Sequence, residues 1–186
     1  MNLFRNILIV VVASLYCSCN SNSYELSDAK FDSALSYAKV KLAVLNISQV
    51  NRLDGKYVGF AGTTSSNYWN RVTITTASSN NELRALTRHP SPAVKACAFL
   101  ELKERRYLNL KDILEENLGN KETFSFFPGG CVGSTEQINF FFLRELHDHL
   151  TNEEYQNFKL KMSRFYSKPE WNDIEKGIDF RIKEGY

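Results

Sequence analysis

Two cysteines downstream of the N-terminal segment could supply thiol chemistry. Cys97 lies in the stretch LTRHPSPAVKACAFLEL, residues 86–102, and Cys131 lies in a glycine-rich segment. A reactive thiol needs a base or positive charge that favours the thiolate, and no residue close in sequence to either cysteine looks like a dedicated base. In an oxidising compartment two such cysteines usually pair. We therefore predict a disulfide between Cys97 and Cys131, with Cys97 at a core position of its helix.

Metal or acid–base chemistry is suggested by the sequence LHDHL, which contains His147, Asp148 and His149. Residues two apart on a helix point about 200° apart, so both imidazoles reach one ion only if the helix unwinds. We interpret them as helix-end histidines. Neighbouring carboxylates face apart for the same reason and are expected to be solvated, as in Glu115 with Glu116 and Glu153 with Glu154. No catalytic residue, cofactor or metal is predicted.

The N-terminus indicates where such residues would operate. Residues 1–18 combine one charge, Arg5, with an apolar run too short to span a bilayer, which is typical of a secretory signal peptide. Cys19 follows a small residue and precedes a polar stretch, so it is the candidate lipidation site of a bacterial lipoprotein, with residues 19–26 as its tether. Tyr16 stands where such sites usually carry Leu, so simple secretion stays open. Both alternatives predict an extracytoplasmic protein, anchored to the envelope or secreted.

Composition narrows the partners. The 186-residue chain has 23 basic and 21 acidic residues, and a near-neutral chain lacks the basic face that a nucleic-acid binder needs. No later segment is long and apolar enough to cross a membrane, so membrane attachment is expected only through the N-terminus. Residues 27–186 are predicted to form a single domain.

The first half of that domain is predicted to be helical. One stripe at spacings of three and four begins the pattern, formed by Phe31, Leu35, Ala38, Leu42 and Leu45. Residues 67–78 are ambiguous, since their β-branched residues favour a strand and their spacing allows a helix; the neighbouring segments favour the helix. Ser79 or Asn80 can then cap a short helix that ends before Pro90.

The second half continues with helices around one irregular loop. Ser91 and Pro92 suit a helix start, and Val94, Ala98 and Leu102 form its stripe. Another helix is marked by Leu110, Ile113, Leu114 and Leu118. Proline and glycines in KETFSFFPGGCVGS, residues 121–134, predict an irregular loop. A helix from Gln137 follows, and Thr151 with Glu154 predicts a capping box that opens a further helix.

The residues from Glu82 to Arg105 resemble one HEAT-like repeat: a helix with two leucines, a proline-containing turn, then a helix with Val, a basic residue, Ala and Leu. The chain is also similar, across roughly residues 55–150, to small secreted proteins of Bacteroidetes-like bacteria that carry a Gly-Cys loop and no assigned activity. The resemblance implies an all-α fold of stacked helical hairpins with HEAT-like packing and one irregular glycine-rich loop. It also implies a protein-interaction scaffold.

Aromatic residues crowd one region of the sequence. Core filling is the simpler interpretation, and an exposed interaction patch is the alternative; its members would be Phe124, Phe126, Phe127 and Phe141. The sequence thus favours a non-enzymatic scaffold that binds a partner protein. The competing interpretations are an enzyme using Cys131 or the histidines of LHDHL, and a purely structural lipoprotein.

Overall fold

The computed structural model describes residues 35–184. The predicted signal peptide, Cys19 and the tether lie outside these residues. Within them the chain forms eight α-helices and five strands in two sheets, so the predicted all-α fold of stacked helical hairpins is wrong and the fold is mixed α/β. No helix in the described part combines the length and apolar character that crossing a bilayer would require.

The helices are α1 (Ala38–Val50), α2 (Ser66–Ala77), α3 (Asn80–Leu86), α4 (Pro92–Glu104), α5 (Leu110–Glu116), α6 (Ile138–Leu146), α7 (Asn152–Ser163) and α8 (Lys168–Glu184). The strands are β1 (Arg52–Asp54), β2 (Tyr57–Val58), β3 (Thr63–Thr64), β4 (Thr123–Gly129) and β5 (Val132–Gln137). A single 3₁₀ turn, His147–His149, separates α6 from α7.

The larger sheet has the order β1-β4-β5. β1 pairs parallel to β4, with Leu53 opposite Phe126, and β4 pairs antiparallel to β5, with Phe124 opposite Glu136. The smaller sheet is the hairpin of β2 and β3. Gly55 connects β1 to this hairpin and passes so close to β4 that a Cβ there would lie 1.9 Å from the carbonyl oxygen of Pro128. Only glycine fits that crossing.

The predicted irregular loop is the β4–β5 hairpin. Phe124 is buried and Phe126 lies on the same face, which is the period-two pattern of a strand. Pro128 lies where the β4–β5 register shifts, and Gly130 makes the turn with φ of +67°. The proline and glycines that indicated a loop therefore belong to the end and turn of a hairpin.

Helix α4 is the centre of the core. Nine of its thirteen residues are buried, and Lys95 is among them. The Phe99 ring stacks on Phe142 of α6, with centroids 3.9 Å apart. A repeat helix would bury one stripe against its neighbours, whereas α4 is covered on nearly all sides by helices and by the sheet. This central placement is the physical reason that the stacked-hairpin prediction fails.

The ambiguous segment 67–78 is helical, as the neighbouring segments favoured. Ser65 begins α2 by accepting hydrogen bonds from the amides of Asn67 and Tyr68. Threonine hydroxyls inside α2 donate to backbone carbonyls one turn earlier, as Thr73 does to Trp69 at 3.0 Å. Such bonds let β-branched residues occupy a helix despite their strand propensity.

The predicted stripe of α1 is not the buried one. Leu42 is 59% exposed, whereas Val40, Ala43, Val44 and Ile47 face the core. The helix begins at Ala38 after an extended Tyr37, so the part of the stripe upstream of it does not belong to this helix. Phe31 lies outside the described residues.

The capping predictions fare better. Ser79 with Glu82 and Thr151 with Glu154 each form a complete capping box, the latter as predicted. Ser91 and Pro92 do begin α4, but the Ser91 side chain does not cap it. The Asn51 side-chain oxygen instead accepts from the amide of Ala93 at 3.2 Å, and its amide nitrogen donates to the Thr123 carbonyl at 2.9 Å. Asn51 thereby ties α1, α4 and the start of β4 together.

Candidate functional site

Cys97 and Cys131 are separate free thiols in this structure, and the disulfide between them stays a prediction. Cys97 is fully buried in α4, as the core interpretation predicted, and burial raises the pKa of its thiol to about 12. Cys131 is exposed at the turn between β4 and β5. A neutral buried thiol is a packing group rather than a nucleophile.

The LHDHL segment adopts a 3₁₀ turn that follows α6. The His147 Nδ1 atom lies 3.1 Å from an oxygen of the exposed Asp148, and its ring meets the Tyr155 ring edge-on at 5.1 Å. Across residues 35–184 no group of three or more histidine, cysteine, aspartate or glutamate side chains comes together as a metal site. His147 and His149 therefore lie at a helix end, as the sequence interpretation had them.

The predicted aromatic patch divides between core and surface. Phe124 and Phe141 are buried and meet edge-to-face at 5.1 Å. Phe126 is half-buried against Phe141 at 5.4 Å, and Phe127 is half-buried beneath the Arg52 guanidinium. Core filling is right for Phe124 and Phe141, and only Phe126 of the four lines a cavity described below.

A cleft lies between the β4–β5 hairpin and α8 and is called here the α8 cleft. Its apolar end has a cavity volume of about 360 Å³, and its principal apolar side chains are Phe126, Pro128, Val132 and Phe180. A second cavity of about 240 Å³ adjoins it, lined in part by Phe140, Ile174 and Ile178. The two cavities share four lining residues, Glu136, Arg144, Gly177 and Arg181.

A buried ion-pair cluster forms the floor of the α8 cleft. The Glu136 side chain is only 5% exposed and accepts from Arg181 at 2.7 and 2.8 Å and from Arg144 at 3.0 Å. The Ser134 hydroxyl donates to the same carboxylate at 2.6 Å. One carboxylate thus serves two guanidiniums, and a buried carboxylate needs such partners to remain charged.

The cluster has a net positive charge, and its two arginines differ in exposure. Two arginines against Glu136 leave one net positive charge, because Glu145, which lies 3.4 Å from Arg144, is itself balanced by Lys103 at 2.6 Å. The Arg144 side chain is 12% exposed, whereas the Arg181 side chain is 41% exposed. Arg181 therefore retains N–H groups that a ligand can reach, and a guanidinium prefers a carboxylate or phosphate as its acceptor.

Helix α8 closes the cleft through polar contacts with α7. Lys159 donates to Glu175 at 2.8 Å and to Asp179 at 3.1 Å, and the Tyr155 hydroxyl donates to Asp179 at 3.1 Å. Burial, followed by the nearby Asp179 charge and its hydrogen bond, raises the pKa of the Tyr155 phenol, so Tyr155 stays a donor. These contacts attach one side of α8 to α7, and the Arg181–Glu136 ion pair attaches its other side to β5.

A second polar cluster lies at the end of β1. The fully buried Asp54 pairs with Arg52 at 2.8 Å and accepts from the Ser65 hydroxyl, and Asn67 donates to the Arg52 carbonyl. Ser65 is the N-cap of α2 and Asn67 lies in its first turn, so this cluster fixes the start of that helix against β1. Its members bond to one another and to the backbone, while three buried atoms of the cluster find no hydrogen-bond partner among the described residues: Arg52 Nε, Asp54 Oδ1 and Asn67 Oδ1.

The sequence did not identify Glu136, Arg144 or Arg181. None of the three stands in a recognisable motif, and their convergence depends on β5 forming a strand that the glycine-rich segment did not reveal. The residues of β5, VGSTEQ, show no apolar–polar alternation that would have indicated the strand. A comparison of the chain with known protein families, curated proteins and solved structures finds no match.

Proposed function

We propose that this domain is a non-enzymatic binding module that holds a short segment of a partner protein in the α8 cleft. The observation that carries the proposal is an apolar cavity of about 360 Å³ with the accessible guanidinium of Arg181 on its wall. Ligand sites are typically apolar concavities with a few well-placed polar groups.

The chemistry of the walls specifies the segment. Val132 and Phe180 are 79% and 61% exposed, so an apolar side chain between them would remove both from water. The net positive charge beside them favours a carboxylate on the same segment. β5 is also an edge strand of its sheet, and an extended peptide can hydrogen-bond to such an edge. The preferred partner segment is therefore extended and contains an acidic residue next to an apolar one.

The setting of this function is part of the proposal. The signal-peptide and lipidation patterns in residues 1–19 support a location outside the cytoplasm, in the envelope or secreted. A domain held there with an open cleft suits a scaffold that collects a partner protein.

The proposal is tested by selecting binders from a random peptide display library and measuring their affinities by fluorescence anisotropy. Enriched peptides are expected to pair an acidic with an apolar residue. Arg181→Glu should weaken them at least about tenfold, because it reverses the accessible charge in the cleft.

Lys176→Glu is the matched control, since it makes the same change of charge on an exposed residue of α8 that does not line the cleft. Equal weakening of peptide binding by both substitutions would show that the net charge of the protein, and not Arg181 in the cleft, causes the effect. Selection that enriches no peptide would contradict the proposal and favour a purely structural protein.

A further inference from the structure

Two hairpin turns meet at one corner of the molecule and form a protrusion, called here the double tip (residues 57–63 and 129–132). Gly59 donates to the Gly130 carbonyl and Gly130 donates to the Tyr57 carbonyl, both at 2.9 Å. Val58 and Gly130 also form an isolated parallel bridge. The β2–β3 turn is therefore fastened to the β4–β5 turn by backbone hydrogen bonds.

The double tip exposes apolar side chains to an unusual degree. Phe60 is 101% exposed, Val132 is 79% exposed and Tyr57 is 51% exposed. Burying a phenylalanine side chain contributes about 2 kcal/mol of favourable free energy, and Phe60 does not gain it in this structure. A turn that only faces water favours polar residues, so these exposed apolar side chains indicate contact with another surface.

The turn geometry holds Phe60 outward. Gly59 and Gly62 have φ values of +79° and +59°, and the Gly62 amide donates to the Gly59 carbonyl at 3.1 Å. Phe60 thus lies inside a closed turn built from left-handed glycines rather than on a loose loop.

The shape of the double tip is convex. A Cβ added at Gly59, Gly62 or Gly130 would meet no atom within 4 Å, so space around the turns is open on several sides. Stable protein interfaces bury about 800 Å² per partner with good complementarity, which a narrow convex tip does not offer. A fluid surface that closes around a projecting ring suits it better.

The charge around the double tip selects among fluid surfaces. The two segments that build the tip, residues 55–65 and 123–135, contain no acidic residue and one cation, Lys56. Asp54, the nearest upstream acid, is fully buried and paired with Arg52. Lys56 is exposed, with its ammonium 5.0 Å from the centre of the Tyr57 ring. An anionic headgroup would therefore meet a cation and no carboxylate.

We infer that the double tip is a membrane-contact site, in which Phe60 enters the acyl boundary of an anionic lipid surface and Tyr57 and Lys56 lie at headgroup level. Aromatic rings with one polar end favour that interface, and a lysine stem can extend from it toward the headgroups. This contact goes beyond the proposed cleft function and beyond any anchor at the N-terminus, since it would orient the domain on the bilayer.

The test places a tryptophan at the tip of the full-length protein and measures quenching by brominated lipid in vesicles of phosphatidylcholine and phosphatidylglycerol. Phe60→Trp is expected to add emission that brominated lipid largely removes. Leu160→Trp on α7 is the matched control, because Leu160 is also an exposed apolar residue, at 61%, and its added emission should persist. Trp69 and Trp171 are present in both variants and are subtracted with the unsubstituted protein.

Quenching at position 60 alone supports the inference even when the N-terminus itself holds the chain on the vesicle, because the readout is the depth of one residue. Adding Lys56→Glu to Phe60→Trp should reduce the quenching on anionic vesicles. Equal quenching at positions 60 and 160, or none at position 60, would overturn the inference.

Discussion

Helices α4 and α8 are held in the molecule in opposite ways. Nine of the thirteen residues of α4 are buried, whereas α8 spans seventeen residues and Ile178 is its one buried residue among those whose side chains the structure describes. Burial of apolar area contributes most of a domain's stability. Partly exposed ion pairs, such as those that hold α8, contribute little each.

The comparison distinguishes a core helix, α4, from a surface helix, α8, that borders a cleft. α4 places the sheet and α6 through dense packing, and it leaves no space for a ligand. α8 packs on the core through Ile178 and several partly buried apolar residues, and ion pairs with Lys159 of α7 and Glu136 of β5 hold its two sides. Loosely packed elements supply binding surfaces more readily than core elements do.

The most direct test of this contrast removes one phenyl ring from each helix. Phe99→Ala deletes a fully buried ring stacked on Phe142, so we expect it to lower the free energy of unfolding by about 3–5 kcal/mol. Phe180→Ala deletes a ring that is 61% exposed, and we expect a change below about 1 kcal/mol. Urea unfolding followed by circular dichroism measures both, and similar losses would show that α8 is not the loosely held helix.

A pair of glycine substitutions sharpens the contrast at the backbone. Gly55→Ala forces a methyl group to within 1.9 Å of the Pro128 carbonyl oxygen, so β1 or β4 must shift, with a loss of at least about 2 kcal/mol. Gly177→Ala lies in α8, where a Cβ meets nothing, and should stabilise by about 0.5–1 kcal/mol through helix propensity. Thermal melts of the two variants should move in opposite directions, and a stabilising Gly55→Ala would contradict the close crossing.

Acid should lower the free energy of unfolding through Glu82 of α3. Burial opposes its ionisation, but bonds from the amides of Ser79 and Ser36 and from the Ser79 hydroxyl hold its pKa at about 2, against an ordinary 4.5. Above pH 4.5 this stabilisation is complete, and it is lost as the pH falls toward 2, because the unfolded chain takes up the proton first. Glu82→Gln should cost about 1–2 kcal/mol at neutral pH and show a smaller loss between pH 4.5 and 2, measured by urea unfolding at each pH. An unchanged pH dependence would assign the acid sensitivity to other carboxylates such as Glu116.

Thiol reactivity should distinguish the buried helix α4 from the exposed β4–β5 turn without changing the stability of the protein. The exposed Cys131 is expected to react with iodoacetamide in the folded protein, and Cys97 only after denaturation, since burial raises the pKa of its thiol to about 12. Peptide mass mapping assigns the modified residues. Protection of both cysteines until a reductant is added would instead demonstrate the disulfide that the sequence suggested.

The sequence predicts local features of this fold well and its long-range pairing poorly. The capping box of Thr151 with Glu154, the helix start at Ser91–Pro92 and the core position of Cys97 depend on residues within one or two turns, and the structure confirms them. The sheet was missed because β1 has three residues and pairs with a strand far along the chain. Without β5, Glu136 had no visible relation to Arg144 and Arg181.

The side chain of Asn51 and the backbone around it join segments that lie far apart in the sequence. Its amide group reaches Thr123 across 72 residues, and the parallel pairing of β1 with β4 follows directly. Until the segment around Thr123 is in place, β1 has no partner strand in this sheet, so Leu53 stays uncovered. Contacts of such high sequence separation slow folding and prolong exposure of apolar surface. The sheet that shapes the α8 cleft is therefore expected to be among the last parts of the molecule to assemble, and its edge the part most in need of a chaperone.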